Sequence, residues 1–466
     1  MMRSMFSGVS GLRVHQTKMD VIANNISNVN TFGYKSSRVT FAEIFSQTTA
    51  GASGASPETG RGGVNAMQIG LGANVASIDM LMTNGAAQRT DNPYDLMIQG
   101  DGFFIVGDTS GTYFTRAGAF RLDEAGNLVG PNGMQLQGWK AQQGLGGVQT
   151  VPKTGLQGIQ ISGEDEHIGA EVTTYEKITG NLNALTDPVK ESSLSFYDSL
   201  GNKYNVKMRY EYDQTAKQWN MTMADRATIQ GSDQIVYFTN TAAQGGTPAV
   251  NDLSGATPKG FTLTTVAPPA NDPGITFLPI NGNPILKFDA NGDIDPASLT
   301  SLQFTVVDAV GALNPNSAFA PIITVDLQRL TQQADKATVT VEPDGAPPGS
   351  LNGVSIGSDG KISGKYSNGK TKILWQIPVA KFKNPAGLER VGNNLYSATP
   401  NSGEFDGVGE EAAGGTSLLP GVLEMSNVDL ASEFTDMITT QRGFQANSRI
   451  ITTSDEMLQE LVNLKR

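Results

Sequence analysis

Cysteine is absent from all 466 residues, which removes disulfides, thiolate nucleophiles and Cys metal sites. Histidine occurs only at His15 and His167. His15 falls in the first helical pattern and His167 stands among Glu164, Asp165 and Glu166, so each reads as a solvated side chain. A His-based catalytic or zinc site needs companions that this chain lacks. Charge is sparse as well: 17% of residues are charged, and the net balance is −12 with a pI near 4.8. So acidic a chain argues against nucleic-acid and anionic-membrane partners, because neutralising phosphate needs a basic face. No apolar run approaches the roughly 20 residues of a membrane span, so no membrane insertion is expected. The N-terminus has no apolar stretch of signal-peptide length and is broken by Arg3, Arg13 and Lys18. The expectation is a chain that is cytoplasmic or exported by an uncleaved-signal route. Nothing calls for a cofactor.

Glycine is plentiful, with 54 Gly and 22 Pro, so the middle of the chain reads as many short strands and turns. The length exceeds one core and implies two to four domains. Only the ends carry helical patterns. From Asn427 onward, Phe434, Met437, Gln441, Phe444, Ser448, Ile451, Asp455, Leu458 and Val462 recur at heptad spacing. A second stripe, Ile450, Ser454, Met457, Leu461 and Leu464, runs beside it. Near the start, Met5, Val9, Leu12, Gln16, Met19, Ala23 and Ile26 repeat the same steps. Two such helices want partners, each other first, and the excess apolar surface looks built for a multi-helix assembly. The periodicity alone equally suits a docked helix pair in a discontinuous globular domain.

After the first helix, residues 23 to 35 are dense in Asn and include Gly33, which suits helix termination with an αL glycine. Residues 46 to 63, rich in Ser, Thr, Ala and Gly, read as an irregular linker. Hairpin turns are expected at Asp123 to Gly126, Asp198 to Gly201, Asp289 to Gly292 and Ser358 to Gly360. Strand candidates include Lys203 to Tyr212, Phe304 to Val307 and Ile373 to Val379, with loops at Ala242 to Pro248 and Val266 to Gly274. Asp289, Asn291, Asp293 and Asp295 alternate as calcium-loop ligands do, but Ile294 replaces the sixth-position Gly and Thr300 the twelfth-position carboxylate. A hairpin tip accounts for these residues without a metal.

Three segments carry a resemblance. The run Asn24-Asn25-Ile26-Ser27-Asn28-Val29-Asn30-Thr31-Phe32-Gly33-Tyr34-Lys35 resembles the N-terminal signature of bacterial flagellar axial proteins, the hook members in particular. Ser426-Asn427-Val428-Asp429-Leu430 and Gln441-Arg442-Gly443-Phe444-Gln445-Ala446-Asn447 are similar to the C-terminal one. Gln99 to Phe104 and Tyr113 to Gly118 resemble the first β-domain of rod and hook proteins.

The resemblance implies a multidomain fold: terminal α-helices paired as a coiled-coil layer, with nested, discontinuous all-β domains inserted between them. The implied division is a helical inner-core domain (1–30 and 425–466), a linker and hairpin region (31–70), a first β-domain (71–148 and 347–424) and an outer β-domain (149–346). It also implies an extracellular, non-enzymatic subunit that polymerises with itself into a bendable tube. The implied neighbours are the distal rod, the hook cap, the hook–filament junction proteins and the flagellar export apparatus. Interface residues carried over are Asn24, Asn25, Asn28, Thr31, Gly33, Lys35, Gln441, Arg442 and Asn447. The helical stripe adds Phe434, Met437, Phe444, Ile451, Leu458 and Leu461. A distal rod subunit is the alternative, and length is expected to speak against it, since rod members are shorter. A secreted adhesin or enzyme on a β-scaffold would need clustered acid, base or metal residues, and only scattered turn carboxylates appear. The cysteine-dependent crosslink of some family members cannot form here.

Overall fold

The structure, a computed structural model, describes residues 2–464 except 55–59, 61, 109–110, 144–148, 154, 162, 231–234, 242–258, 267–274, 276, 280–284, 296–297, 308–321 and 413–414. The expected loop at 242–248 and nearly all of that at 266–274 therefore lie outside the described residues. The chain forms two compact units: residues 1–162, 354–364 and 372–466 make the first, and 163–353 with 365–371 the second. No helix among the described residues is long and apolar enough to cross a membrane.

In the first unit the two ends of the chain meet. Helix α1 (Met2–Ser27) and helix α2 (Leu430–Asn463) pack antiparallel. Ser4 faces Ser454 and Asn25 bonds Glu433 at the two ends of the contact. Helix α2 starts cleanly because the Asp429 carboxylate accepts from the Ala431 and Ser432 amides, filling two of the donors every helix start leaves open. The pairing is as expected, but its register is not. The covered residues of α2 are Glu433, Met437, Thr440, Gly443, Phe444, Asn447, Ile451, Ser454 and Leu458. Met437, Phe444, Ile451 and Leu458 therefore sit on the seam as expected. Its alternate positions move back one residue, replacing Phe434, Gln441, Ser448 and Asp455. In α1 the seam likewise runs through Gly8, Gly11, His15, Ile22 and Asn25, leaving Val9 exposed. The reason is steric. A Cβ on Gly11 would stand 2.8 Å from the Asn447 side chain, and one on Gly443 would stand 2.7 Å from His15. Glycine lets the helices approach closely, and apolar periodicity cannot register a residue with no side chain.

Beyond α1, strand β1 (Ser37–Glu43) pairs antiparallel with a later strand, and β2 (Ser46–Ala50) pairs with β3 (Met67–Gly70). The partner of β1 is β4 (Ala73–Met80). The linker expected at 46 to 63 is thus in part a hairpin, extended by a bridge between Ser53 and Val64. Its strands are exposed almost throughout, so no alternation of burial marks them in the sequence. The largest sheet of the unit has Thr371–Gln376, Gln135–Lys140, Phe103–Asp108, Gly111–Thr115, Leu395–Ser397 and Glu389–Gly392 in that order. Phe103, Ile105, Phe114, Leu388 and Tyr396 form a core cluster of this unit.

The second unit is one long mixed sheet. Its strands run Val189–Tyr197, Lys203–Asp213, Gln218–Ile229, Ile235–Thr241, Lys259–Val266, Ser301–Val307, Ile323–Gln332, Tyr175–Leu182 and Thr338–Pro343. The first and last approach each other, so the sheet curls around Trp219, Tyr204, Tyr210, Phe196 and Phe304. Lys203–Asp213 and Gln218–Ile229 show the alternating burial of strands with one face on that core. Among the charged groups buried in this unit, Glu176 is fully buried, and neither of its carboxylate oxygens has a hydrogen-bond partner among the described residues.

The four expected turns form as hairpin tips. In each the glycine takes a positive φ: 80° at Gly126, 88° at Gly201, 88° at Gly292 and 79° at Gly360. At the candidate calcium loop, Asp289 Oδ1 instead accepts from the backbone amides of Asn291 (2.8 Å) and Asp293 (3.0 Å). The carboxylate closes the turn.

Candidate subunit interface

Helix α1 ends in a run of amides that bond each other. Asn28 Nδ2 donates to the carbonyl (2.9 Å) and Oδ1 (2.7 Å) of Asn24, and Thr31 Oγ1 donates to Asn28 Oδ1 (3.1 Å). Asn25 points the other way, into the protein, and is 1% exposed. Its Nδ2 donates to the Ser37 carbonyl and to Glu433 Oε1, both at 2.9 Å. Its Oδ1 accepts from the Ser37 amide (3.0 Å) and the Tyr34 hydroxyl (3.2 Å). One side chain so ties α1 to β1 and to α2. Burial raises the Glu433 pKa, and the Asn25 bond opposes that rise. Asn25→Ala is expected to cost about 2–4 kcal/mol, because it strands the buried partners of the amide. Asn24→Ala, at an exposed position, is expected to cost less than about 1 kcal/mol. Denaturant melts of the two variants check this; equal effects would refute the role given to Asn25.

Past the helix end the chain turns through Gly33 (φ 69°), where a Cβ would stand 2.7 Å from the backbone of Arg116 and Ala117. That turn delivers Lys35 to a buried ion cluster. Lys35 Nζ donates to the Thr83 carbonyl and to Glu424 Oε1, both at 2.7 Å. Arg116 lies 3.5 Å from Glu424 Oε2 and donates to Asn84 Oδ1 (3.1 Å) and the Gly100 carbonyl (2.9 Å). The Gly85 amide donates to Glu424 Oε1 (2.9 Å), and the Gly33 amide to the Glu424 carbonyl (2.8 Å). Burial lowers the pKa of both cations, with Glu424 pulling the other way. Asn427 completes the junction: its Oδ1 accepts from the Ser36 amide (2.7 Å) and its Nδ2 donates to the Leu81 carbonyl (2.8 Å).

Within one chain, then, Asn25, Gly33 and Lys35 hold its own elements together. Asn24, Phe434, Gln441, Arg442 and Leu461 are exposed; Met437, Phe444, Asn447, Ile451 and Leu458 are half-buried, Asn447 and Ile451 against the glycines of α1. Phe6 (68%), Ile438 (54%), Met457 (51%) and Val462 (68%) are exposed apolar residues outside the expected interface set. In the hairpins Phe45 (75%) and Met67 (60%) are exposed too. Glu424 also went unnoticed, because a lone glutamate after Val422-Leu423 carries no local mark of its distant cations. Among the described residues no group of three or more His, Asp or Glu is placed to hold a metal.

Known proteins match along most of the chain. Residues 5–35 match the family described as flagella basal body rod protein, and 97–169 the flagellar hook protein FlgE/F/G D1 domain. Residues 182–346 match the flagellar basal body protein FlaE D2 domain, and 419–464 the flagellar basal body rod FlgEFG protein C-terminal family. The chain is 38% identical to the flagellar hook protein FlgE of Borreliella burgdorferi over 482 residues, and 35% identical to that of Treponema pallidum over 483. Both comparisons cover 100% of each chain. A protein of Bacillus subtilis named flagellar basal-body rod protein FlgG is 30% identical, again over 100% of both chains. Length therefore does not separate hook from rod, contrary to expectation: a rod-named relative spans the whole chain. The higher identities are to the hook proteins, and the chain belongs to the flagellar hook protein FlgE family.

Proposed function

We propose that copies of this chain meet through the apolar rows that α1 and α2 leave exposed, and that the resulting tube is the flagellar hook, the bendable joint carrying motor torque to the filament. The observation that carries this reading is the surface of the terminal helices. Phe6, Phe434, Ile438, Met457 and Leu461 are each about half exposed or more. A monomer has no use for such rows, and helical neighbours in a polymer would cover them. Asn24, Gln441 and Arg442 would add polar contacts at the same surface. In this arrangement the helices of 1–30 and 425–466 line the tube and residues 31–70 join them to a middle shell. That shell comprises 71–148 and 347–424, and 149–346 forms the outside. The distal rod, hook cap and hook–filament junction proteins would contact the tube's ends, and the chain would reach its extracellular site through the flagellar export apparatus. Salting-out followed by negative-stain imaging tests this. Curved tubes are expected from the natural chain and none from Ile438→Asp, whose helices should still pair. Straight tubes would favour the rod, and normal tubes from Ile438→Asp would refute the surface assigned.

A further inference from the structure

Residues 417–427 form a strap whose two strands pair with the N-terminal part of the first unit, while the Leu418 amide donates to the Ser358 carbonyl (3.0 Å). Ser417–Pro420 pairs with Leu96–Gln99, and Val422–Glu424 pairs with Ala87–Arg89. The strap's only buried charge is Glu424, and the site it enters holds two cations that are themselves 1–2% exposed, Lys35 and Arg116. Other groups there do not replace it. Asp101 acts on Arg116 at longer range, Tyr396 is a phenol, and Arg390, which donates to the Lys35 carbonyl, adds a third positive charge. We propose that residues 417–427 are a charge-gated strap, and that the first unit closes only when Glu424 enters between Lys35 and Arg116. Strand pairing alone would close the strap whatever residue stood at 424. A gate, by contrast, opens whenever one sign of charge is left alone inside, since a buried unpaired ion is costly while an apolar replacement of the whole set is not.

Hydrogen exchange of the full chain separates the two. In Glu424→Gln, which keeps an acceptor for the Gly85 amide, the amides of 87–89, 96–99 and 33–37 are expected to lose protection by about a hundredfold or more. Those of 103–108, deeper in the sheet, should change far less. Lys35→Met combined with Arg116→Met, leaving Glu424 alone, should open the same amides. The triple variant Lys35→Met, Arg116→Met, Glu424→Leu should restore protection to the natural level. Unchanged protection in Glu424→Gln would overturn the gate, and so would a triple variant as open as Glu424→Gln. Should Glu424→Gln fail to fold at all, the triple variant still decides.

Discussion

Gly11→Leu is expected to separate the terminal helices and abolish tubes. The seam has no room at this point, since three atoms of the Asn447 side chain already stand 2.8–2.9 Å from where a Cβ would be. Asn447 has little freedom to withdraw, because its Nδ2 donates to the Gly443 carbonyl (3.0 Å) one turn earlier. A turn away Gly8 is also tight, with Ile451 at 3.3 Å. Four added carbons must therefore push the axes apart, breaking the Asn25 to Glu433 bond or the Ser4 to Ser454 contact. Overpacking of this kind costs about 1–3 kcal/mol. It falls on a seam with few large apolar members, so it is expected to exceed what the pairing supplies. Phe434→Ser is the matching control: its side chain is half exposed, so the helices should pair while tubes fail. Circular dichroism reports the helices and electron microscopy the tubes. Paired helices in Gly11→Leu would return the seam to the register that apolar periodicity alone predicts.

Glu176→Gln is expected to stabilise the second unit at neutral and alkaline pH. The carboxyl lies at 0% exposure without a hydrogen-bond partner among the described residues. Burial, with the Asp344 charge adding to it, raises its pKa well above the ordinary 4.5. The folded unit therefore holds a proton that the unfolded chain releases above pH 4.5. Stability from this group is full below that pH and falls as pH rises toward the folded pKa, by about 1.4 kcal/mol per pH unit. Glutamine keeps the shape and removes the slope, so the gain is expected to be small at pH 4 and to grow as the pH rises through neutrality. Melts of the second unit's transition at pH 4 and pH 8 check it. An equal gain at both would show that packing, not charge, is responsible.

Much of this protein follows from local features of the sequence. The helical ends, the four glycine turns and the strand at Lys203 depend on neighbours within a few residues, where spacing and turn chemistry decide. The family is legible for a similar reason, since its marks are short runs such as Asn24 to Lys35 and Gln441 to Asn447. What only the tertiary structure decided depends on residues far apart in the chain. The helix seam moved by one position because glycine contributes to a contact by what it lacks. The strand at 46–50 was read as irregular linker because both of its faces are exposed. Lys35 and Gly33 proved to be parts of an internal junction because Arg116 lies 81 residues beyond Lys35 and Glu424 another 308. A charge pair across that separation has no local spacing to betray it. Its geometry exists only once both ends of the chain reach the same site.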